Sequence, residues 1–269
     1  MSDQLNSTSG RSLALVTGAS SGIGFELAKL FAENDFDLII AAEDHAIATA
    51  AADLEAEGAT VEAVQVDLAT ESGVVELYRH VAEAGRPLEV AALNAGIGAG
   101  GAFATDTELA DELKLIDLNV RSTVHLSKYV VRDMLSRGRG RILYTSSIAS
   151  TMPGSFQAVY NASKSFVQSF ALALRNELKD SGVTITSLMP GPVDTEFFER
   201  ADMLDTKVGT DDKDDPADVA RDGFEALMAG EERVVSHSLK SKLQGIGSRV
   251  LPDSAKAEMH RKMAEPGSA

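Results

Sequence analysis

Tyr160 and Lys164 stand four positions apart in the stretch YNASK. On a helix that spacing is about one turn, so both side chains share a face. A free tyrosine has a pKa of about 10 and is a poor base near neutral pH. An ammonium group beside it favours the phenolate and lowers that value. The pair then has the makings of a general acid/base for a proton on oxygen. A carbonyl in such chemistry needs a second donor at its oxygen. YTSSIAS (144–150) supplies hydroxyls: Ser147 precedes Tyr160 by thirteen residues, with Ser146 and Thr145 as alternatives. Strand alternation turns Ser146 to the opposite face from Ser147. Asn161, Ala162 and Ser163 read as spacers that turn the helix once.

Apolar runs of strand length alternate with helical periods along the chain. Strands are expected at 13–16, 36–42, 60–68, 88–96, 140–148 and 182–191, with a short seventh at 233–236. Helices fall between them, including a long one over 108–138 and the one carrying YNASK. Asp215 and Pro216 open a later helix as N-cap and first-turn proline. Strands separated by such helices imply βαβ units, and near-continuous apolar strands imply a parallel sheet covered on both faces. The expectation is one α/β domain over 12–262, a doubly wound Rossmann fold of about seven strands. A disordered tail is expected at 1–11 and a flexible one at 263–269. Such sheets bind ligands beyond the carboxyl ends of their strands.

The first strand end carries TGASSGIG, Thr17 to Gly24. Its glycines permit a tight turn and close approach of backbone to ligand, and free N–H groups at the following helix start attract a pyrophosphate. The spacing is GxxxGxG, not the GxGxxG of the usual dinucleotide fingerprint. In its strand–turn–helix setting it resembles the TGxxxGxG motif of the short-chain dehydrogenase/reductase family, and the resemblance runs from about 13 to about 235. Membership implies an NAD(P)-dependent oxidoreductase. A hydride would pass between nicotinamide and the carbonyl or carbinol carbon of a ketone or secondary alcohol. Tyr160 would be the acid/base, Ser147 would fix the oxygen, and Lys164 would tune the tyrosine and bind the ribose. Asn119, in DLNVRS, matches the family's fourth catalytic residue, at a break in the long helix, and would complete a proton relay. Thr17, Gly18, Ser20, Ser21, Gly22, Ile23 and Gly24 would form the phosphate turn. A non-catalytic dinucleotide sensor on this fold is the alternative, disfavoured by the complete Asn–Ser–Tyr–Lys set. Extended-type epimerases are longer and carry a TGxxGxxG turn.

The end of the second strand selects the cofactor. An acidic residue there bonds the ribose hydroxyls and repels a 2′-phosphate. AAEDHA offers Glu43, with Asp44 as runner-up, and no basic residue stands at Glu43 or at Ser21. The Asp that NAD-using members carry at the position of Ala42 is absent too. Electrostatics favour NAD, with NADP the second choice. The resemblance places Asp67 and Leu68 at the adenine, and Asn94, Ala95 and Gly96 of LNAG under the adenosine. Pro190, Gly191, Val193 and Thr195 of PGPVDT would lie along the nicotinamide. The acidic segment 196–215 matches the family's lid. Phe197, Phe198, Met152 and Phe156 are candidate substrate walls beside Ser147 and Tyr160, with ordinary core packing an equal alternative for these apolar residues.

The chain has 269 residues, 44% of them hydrophobic, with no cysteine and a net charge of −16. It has no apolar run of about 18 residues, so no spanning helix is expected. MSDQLNSTSGRS lacks the apolar core of a secretory signal. A soluble cytoplasmic protein is the expectation, and the Asn6 and Asn161 glycosylation patterns are then chance matches. An acidic chain repels nucleic acid and anionic membrane. His237 and His260 lie too far apart, without a carboxylate pattern, to suggest a metal and are expected at the surface. By resemblance, the helices around 108–137 and 156–180 would pair copies into a homodimer or homotetramer acting on a small carbonyl or alcohol.

Overall fold

A computed structural model describes residues 10–235 and 251–269. Seven strands form one parallel sheet: β1 (Ser12–Thr17), β2 (Phe36–Ala42), β3 (Val61–Gln65), β4 (Leu88–Leu93), β5 (Gly140–Thr145), β6 (Val183–Met189) and β7 (Arg233–Val235). Their spatial order is β3-β2-β1-β4-β5-β6-β7. The order reverses between β1 and β4, which opens a crevice at the carboxyl ends of those two strands.

Alternation along the strands feeds two cores. Ala14 and Val16 of β1 and Leu38 and Ile40 of β2 point to one face. There they meet α1 (Gly22–Glu33), α2 (Ala46–Ala56) and α9 (Pro216–Ala229). Leu13, Leu15, Ile39 and Ala41 point to the other face. They meet α3 (Glu71–Glu83), α5 (Thr123–Arg137) and α6 (Ala158–Glu177). A strand buried on both faces is mostly apolar, and β2 is buried throughout, with Asp37 its one charged residue, paired with Arg11 and Arg86. Asp215 caps α9 by accepting from the Ala217 N–H (2.8 Å), with Pro216 in the first turn.

The expected long helix runs in three parts: α4 (Leu109–Ile116), a π-helical segment Asp117–Ser122, and α5. The segment 196–215 holds two one-turn helices, α7 (Phe197–Arg200) and α8 (Lys207–Thr210). A lone bridge pairs Val193 with Asp214. The Asp194 N–H donates to the Asp214 carbonyl (2.9 Å), and the Asp214 N–H donates to the Pro192 carbonyl (2.9 Å). The two ends of the segment are therefore clasped side by side.

Contacts reach the edges of both expected tails where the structure describes them. Arg11 is tied down: its guanidinium donates to the Ala32 and Phe36 carbonyls and pairs with buried Asp37. Residues 253–264 form a helix, α10 (Asp253–Ala264), whose Ala264 is buried in a third apolar cluster with Phe198, Ala201 and Met203. Beyond it, the Gly267 N–H donates to the Asp205 carboxylate (2.8 Å) and the Ala269 N–H to the Asp205 carbonyl (3.1 Å). Among the described residues no helix is long and apolar enough to cross a membrane. Nor does any group of three or more His, Asp or Glu there have the arrangement to hold a metal ion. His237 and Asn6 lie outside the described residues.

Candidate active site

A cleft of about 430 Å³ opens at the carboxyl ends of the strands. That is within the range of small-molecule sites. One end is the turn after β1. Gly18 has φ +66°, and a Cβ there would lie 2.9 Å from the Ala95 Cα. A Cβ on Gly24 would run into the Gly18 carbonyl, so the turn folds tightly back on the first turn of α1. That first turn has no acidic residue, and its N-cap Ser21 makes no side-chain cap bond. Its N–H groups are left to the cleft, which suits an anion. Ser20, Ser21, Gly22 and Ile23 line the cleft beside them.

Asn94 ties the strand ends together. Its amide donates to the carbonyls of Thr17 (3.2 Å) and Gly18 (3.4 Å), and its Oδ1 accepts from the Thr145 hydroxyl (2.9 Å). Thr17, expected at the phosphates, is instead buried under the turn. Its Oγ1 accepts from the N–H groups of Asn94 and Ala95, both at 3.0 Å. Glu43, Asp67 and Leu68 lie along the same end of the cleft. Glu43 pairs with Lys114 at 3.3 Å, both about half exposed. Asp44, two residues before α2 begins, accepts from the Ala46 N–H (3.0 Å) and from Ser20 Oγ (2.9 Å). Its carboxylate is thus committed to local structure, which leaves Glu43 as the acidic group at the strand end.

At the other end stand Tyr160, Ser147 and Lys164. Strand β5 and α6 bring them together, as the YxxxK spacing and the serine offset implied. Ser147 caps the short 3-10 turn Ile148–Thr151 by accepting from the Ala149 N–H (3.1 Å). Its hydroxyl donates to the Pro190 carbonyl (3.4 Å), and it makes only a weaker hydrogen-bonding contact with the Tyr160 phenol, enough to favour the phenolate slightly. Ser146 faces away and donates to the Lys164 carbonyl (3.0 Å). The Lys164 ammonium donates to the Thr145 carbonyl (2.9 Å) and lies 5.9 Å from the centre of the Tyr160 ring. Burial decides both pKa values. It pushes the Tyr160 phenol up to about 12, against a smaller opposing effect of the Ser147 bond. It pulls Lys164 down to about 8. Desolvation thus outweighs the lowering expected from the lysine, whose ammonium stands 5.9 Å from the ring centre.

Asn119 sits in the π segment, buried to 1% exposure. Its Oδ1 accepts from the Ile97 N–H (3.0 Å), and its amide donates to the Ile97 carbonyl (2.9 Å) and Ser163 Oγ (3.1 Å). The widened π turn is what offers this side chain to the loop after β4. A Cβ on Gly96 would lie 3.1 Å from Asn119 Oδ1 and 3.2 Å from Lys164 Nζ, so the two side chains converge there. Asn119 does not line the cleft; it braces what does. The spacers of YNASK also have work. Asn161 is buried and donates to the Ala149 and Met152 carbonyls (3.1 and 3.2 Å), while Ser163 takes the Asn119 amide.

Pro190, Gly191, Val193 and Thr195 lie along the cleft, as do Met152, Phe197 and Phe198. The Phe197 ring is 5.3 Å from that of Tyr160. Phe156 does not face the cleft. Its backbone has φ +64°, and its ring packs under the Arg261 guanidinium at 5.1 Å. Gln157 takes the wall position instead. His260, expected at the surface, is 6% exposed and lines the cleft, as does Met263. No local pattern could announce this, because His260 meets a partner about a hundred residues away in sequence.

The family profile described as short chain dehydrogenase matches residues 12–203. The chain belongs to the short-chain dehydrogenase family. It is similar to sulfoacetaldehyde reductase 2 of Chromohalobacter salexigens, 32% identical over 186 residues that span 69% of this chain and 74% of that protein. A relative from Salmonella typhi, an NADP-dependent 3-hydroxy acid dehydrogenase, has the same identity and coverage. Among solved structures, a short-chain dehydrogenase from Sphingobium yanoikuyae in complex with NADPH superposes with TM-score 0.78 at 27% identity, covering 90% of this chain and 96% of that one. A Burkholderia phymatum member in complex with NAD gives 0.80 at 25%, covering 87% and 92%. This short-chain dehydrogenase is an NAD(P)-dependent oxidoreductase acting on CH–OH donors.

Proposed function

We propose that this enzyme interconverts a ketone and a secondary alcohol with Tyr160 as its general acid/base. The observation that carries the reading is that Ser147, Tyr160 and Lys164, the last one turn along α6 from the tyrosine, meet at the β5 end of the cleft. Bound NAD(P) supplies the hydride donor or acceptor at its nicotinamide carbon. The Gly18–Gly24 turn would hold the pyrophosphate, Asp67 and Leu68 the adenine, Asn94, Ala95 and Gly96 the underside of the adenosine, and Pro190, Gly191, Val193 and Thr195 the nicotinamide. Ser147 holds the substrate oxygen by its hydroxyl. In reduction, Tyr160 gives its phenolic proton to that oxygen; in oxidation it takes the carbinol proton. A phenol pushed up to about 12 is protonated at neutral pH, so the free protein stands ready as the acid. The Lys164 charge favours the phenolate left after transfer. Asn119 holds the Gly96–Ile97 loop and Ser163 in register with that lysine, and through them supports the relay of the next proton.

The dinucleotide is proposed to be NAD, because Glu43 and no basic residue of the β2 end would face a 2′-phosphate; NADP is the second choice, supported by the NADPH-bound neighbour. The enzyme is further proposed to be a cytoplasmic homo-oligomer without nucleic-acid or membrane partners. Self-association alone is what Leu109, Leu113 and Ile116 support, exposed at helical spacing along α4, with Phe166 exposed on α6. A dimer closed on that face would be split by Leu113→Glu, read as a halved mass in light scattering; an unchanged mass would move the interface elsewhere.

Tyr160→Phe tests the reaction. Hydride transfer to any accepted ketone should fall by about 10³-fold or more, while dinucleotide binding, followed by fluorescence, stays within about twofold. Full activity in the variant would remove Tyr160 as the acid/base.

A further inference from the structure

Helix α10 reaches the substrate half of the cleft through His260 and Met263. It is docked there by three contacts. Ser155 Oγ donates to the Ala257 carbonyl (3.1 Å), Arg261 stacks on Phe156, and His260 Nδ1 lies 2.9 Å from the Ser155 carbonyl oxygen. A carbonyl only accepts, so Nδ1 carries the proton and the other ring nitrogen, Nε2, is left as a lone-pair acceptor. Burial lowers the pKa of this imidazole from its usual value, which keeps it neutral at neutral pH. No described residue bonds Nε2.

The charges around it restrict what can bind. On this side the cleft is lined by Glu196, Asp211, Asp212 and Asp214. Arg200, which also lines it, pairs with Glu196 at 2.5 Å. Arg261 is turned onto Phe156, and Lys213 onto Phe198 at 5.2 Å with its ammonium donating to the Gly209 carbonyl. An anionic substrate would meet this acidic rim with its cations already engaged. Of the remaining walls Met152, Phe197 and Met263 are apolar, and the Gln157 amide is turned onto the Met203 sulfur (3.0 Å).

We propose that His260 Nε2 selects the far end of the substrate, and that the substrate is an uncharged ketone or secondary alcohol carrying a second hydroxyl on an apolar body. This rests on the ketone–alcohol reading above and assigns that site its substrate class. A substrate hydroxyl donates to Nε2 when the cleft closes and water leaves. A substrate with a hydrogen in that place leaves a desolvated acceptor without a donor, which costs on the order of tenfold in affinity. A carboxylate or sulfonate in that place repels the lone pair and the rim.

The test uses the full chain saturated with oxidised dinucleotide, so that no hydride is available and affinity is read without turnover. Calorimetry gives Kd for 4-methylcyclohexanone, 4-hydroxy-4-methylcyclohexanone, whose tertiary carbinol has no hydrogen to transfer, and 4-oxocyclohexanecarboxylate. The expected order has the hydroxyketone binding about 10-fold tighter than 4-methylcyclohexanone, with the carboxylate weakest. His260→Asn places an amide donor near Nδ1, toward Ser155, and withdraws the Nε2 acceptor; the hydroxyl preference should fall to about one. His260→Gln, whose amide oxygen can reach the Nε2 position, should keep part of it. No hydroxyl preference in the unsubstituted protein, equal or better binding of the carboxylate, or an undiminished preference in His260→Asn would each overturn the proposal. The order of affinities in the unsubstituted protein tests it even if both variants fail to fold. Tyr160→Phe separates the two readings. If it retains full turnover, the acid/base reading fails while the affinity ratios still judge His260. If it loses turnover and the ratios do not depend on His260, only the substrate assignment fails.

Discussion

Lys164 is held as a buried cation with one hydrogen bond, to the Thr145 carbonyl, and burial lowers its pKa from 10.5 to about 8. A lowering of that size corresponds to about 3 kcal/mol of folding free energy set against the protein at neutral pH. Lys164→Met keeps most of the stem and removes the charge. It forfeits one hydrogen bond, about 1 kcal/mol, so the free variant should be more stable than the parent at about pH 7 by about 2 kcal/mol. The sign of the pH dependence follows from linkage. Below about 8 the lysine is protonated both folded and unfolded, and the parent bears the whole penalty. Between about 8 and 10.5 the unfolded chain binds the proton and the folded protein does not, so parent stability rises with pH. From about pH 7 to about pH 9.5 the parent should gain about 2 kcal/mol on the variant, which nearly closes the gap. Over that range Tyr160 contributes little, because its raised pKa begins to cost stability only as pH approaches 10. The assay is urea unfolding of both proteins at the two pH values, without dinucleotide and at one protein concentration. A gap that stays constant or widens with pH would refute the claim that Lys164 is a desolvated cation. The same substitution should abolish activity, which would make the lysine a residue kept for chemistry at a cost in stability.

Two further outcomes follow from the dinucleotide end. Gly24→Ala drives a Cβ into the Gly18 carbonyl, so it should destabilise the protein by at least about 1–3 kcal/mol and weaken dinucleotide binding, read by a thermal melt and by fluorescence titration. Glu43→Ala removes the carboxylate expected to repel a 2′-phosphate and frees Lys114, so the NADPH-to-NADH affinity ratio should rise about tenfold; no change would relocate cofactor choice away from β2.

Several parts of this fold were legible because they are local. Apolar runs gave all seven strands, and β2 and β5 match at their ends to within a few residues. The TGASSGIG turn, Ser147, Tyr160 and Lys164 fall together because a parallel sheet delivers its strand ends to one edge. What stayed hidden depends on distant partners. The π segment follows the helical pattern around it, and only Asn119 hinted at the break. Phe156 looks like a wall residue until a positive φ turns it toward Arg261. His260 looks like a solvated helix residue until Ser155 comes to meet it. Asn161 and Ser163 seemed to be spacers because nothing in YNASK says that the Ala149 carbonyl and the Asn119 amide will stand opposite them. Burial, too, is a property of the packed whole, which is why proximity of a lysine misjudged the direction in which Tyr160 shifts.

The clasp between Val193 and Asp214 has a consequence for how such a protein can change. The phosphate turn, Asn94, Ser147, Tyr160 and Lys164 all precede the clasp in the chain, and of the residues assigned to the nicotinamide only Thr195 lies beyond its first end. The twenty residues between its two ends leave and return at one point. The entropy of closing a loop grows only with the logarithm of its length, so this segment can lengthen, shorten or be replaced at little cost to the sheet beneath. It is a cassette. Together with α10, which meets it at Ala264, it forms a cover over the sheet, and a lid transplanted from another family member at these two joints should change which substrate bodies fit beside Phe197 while leaving the His260 contact in place.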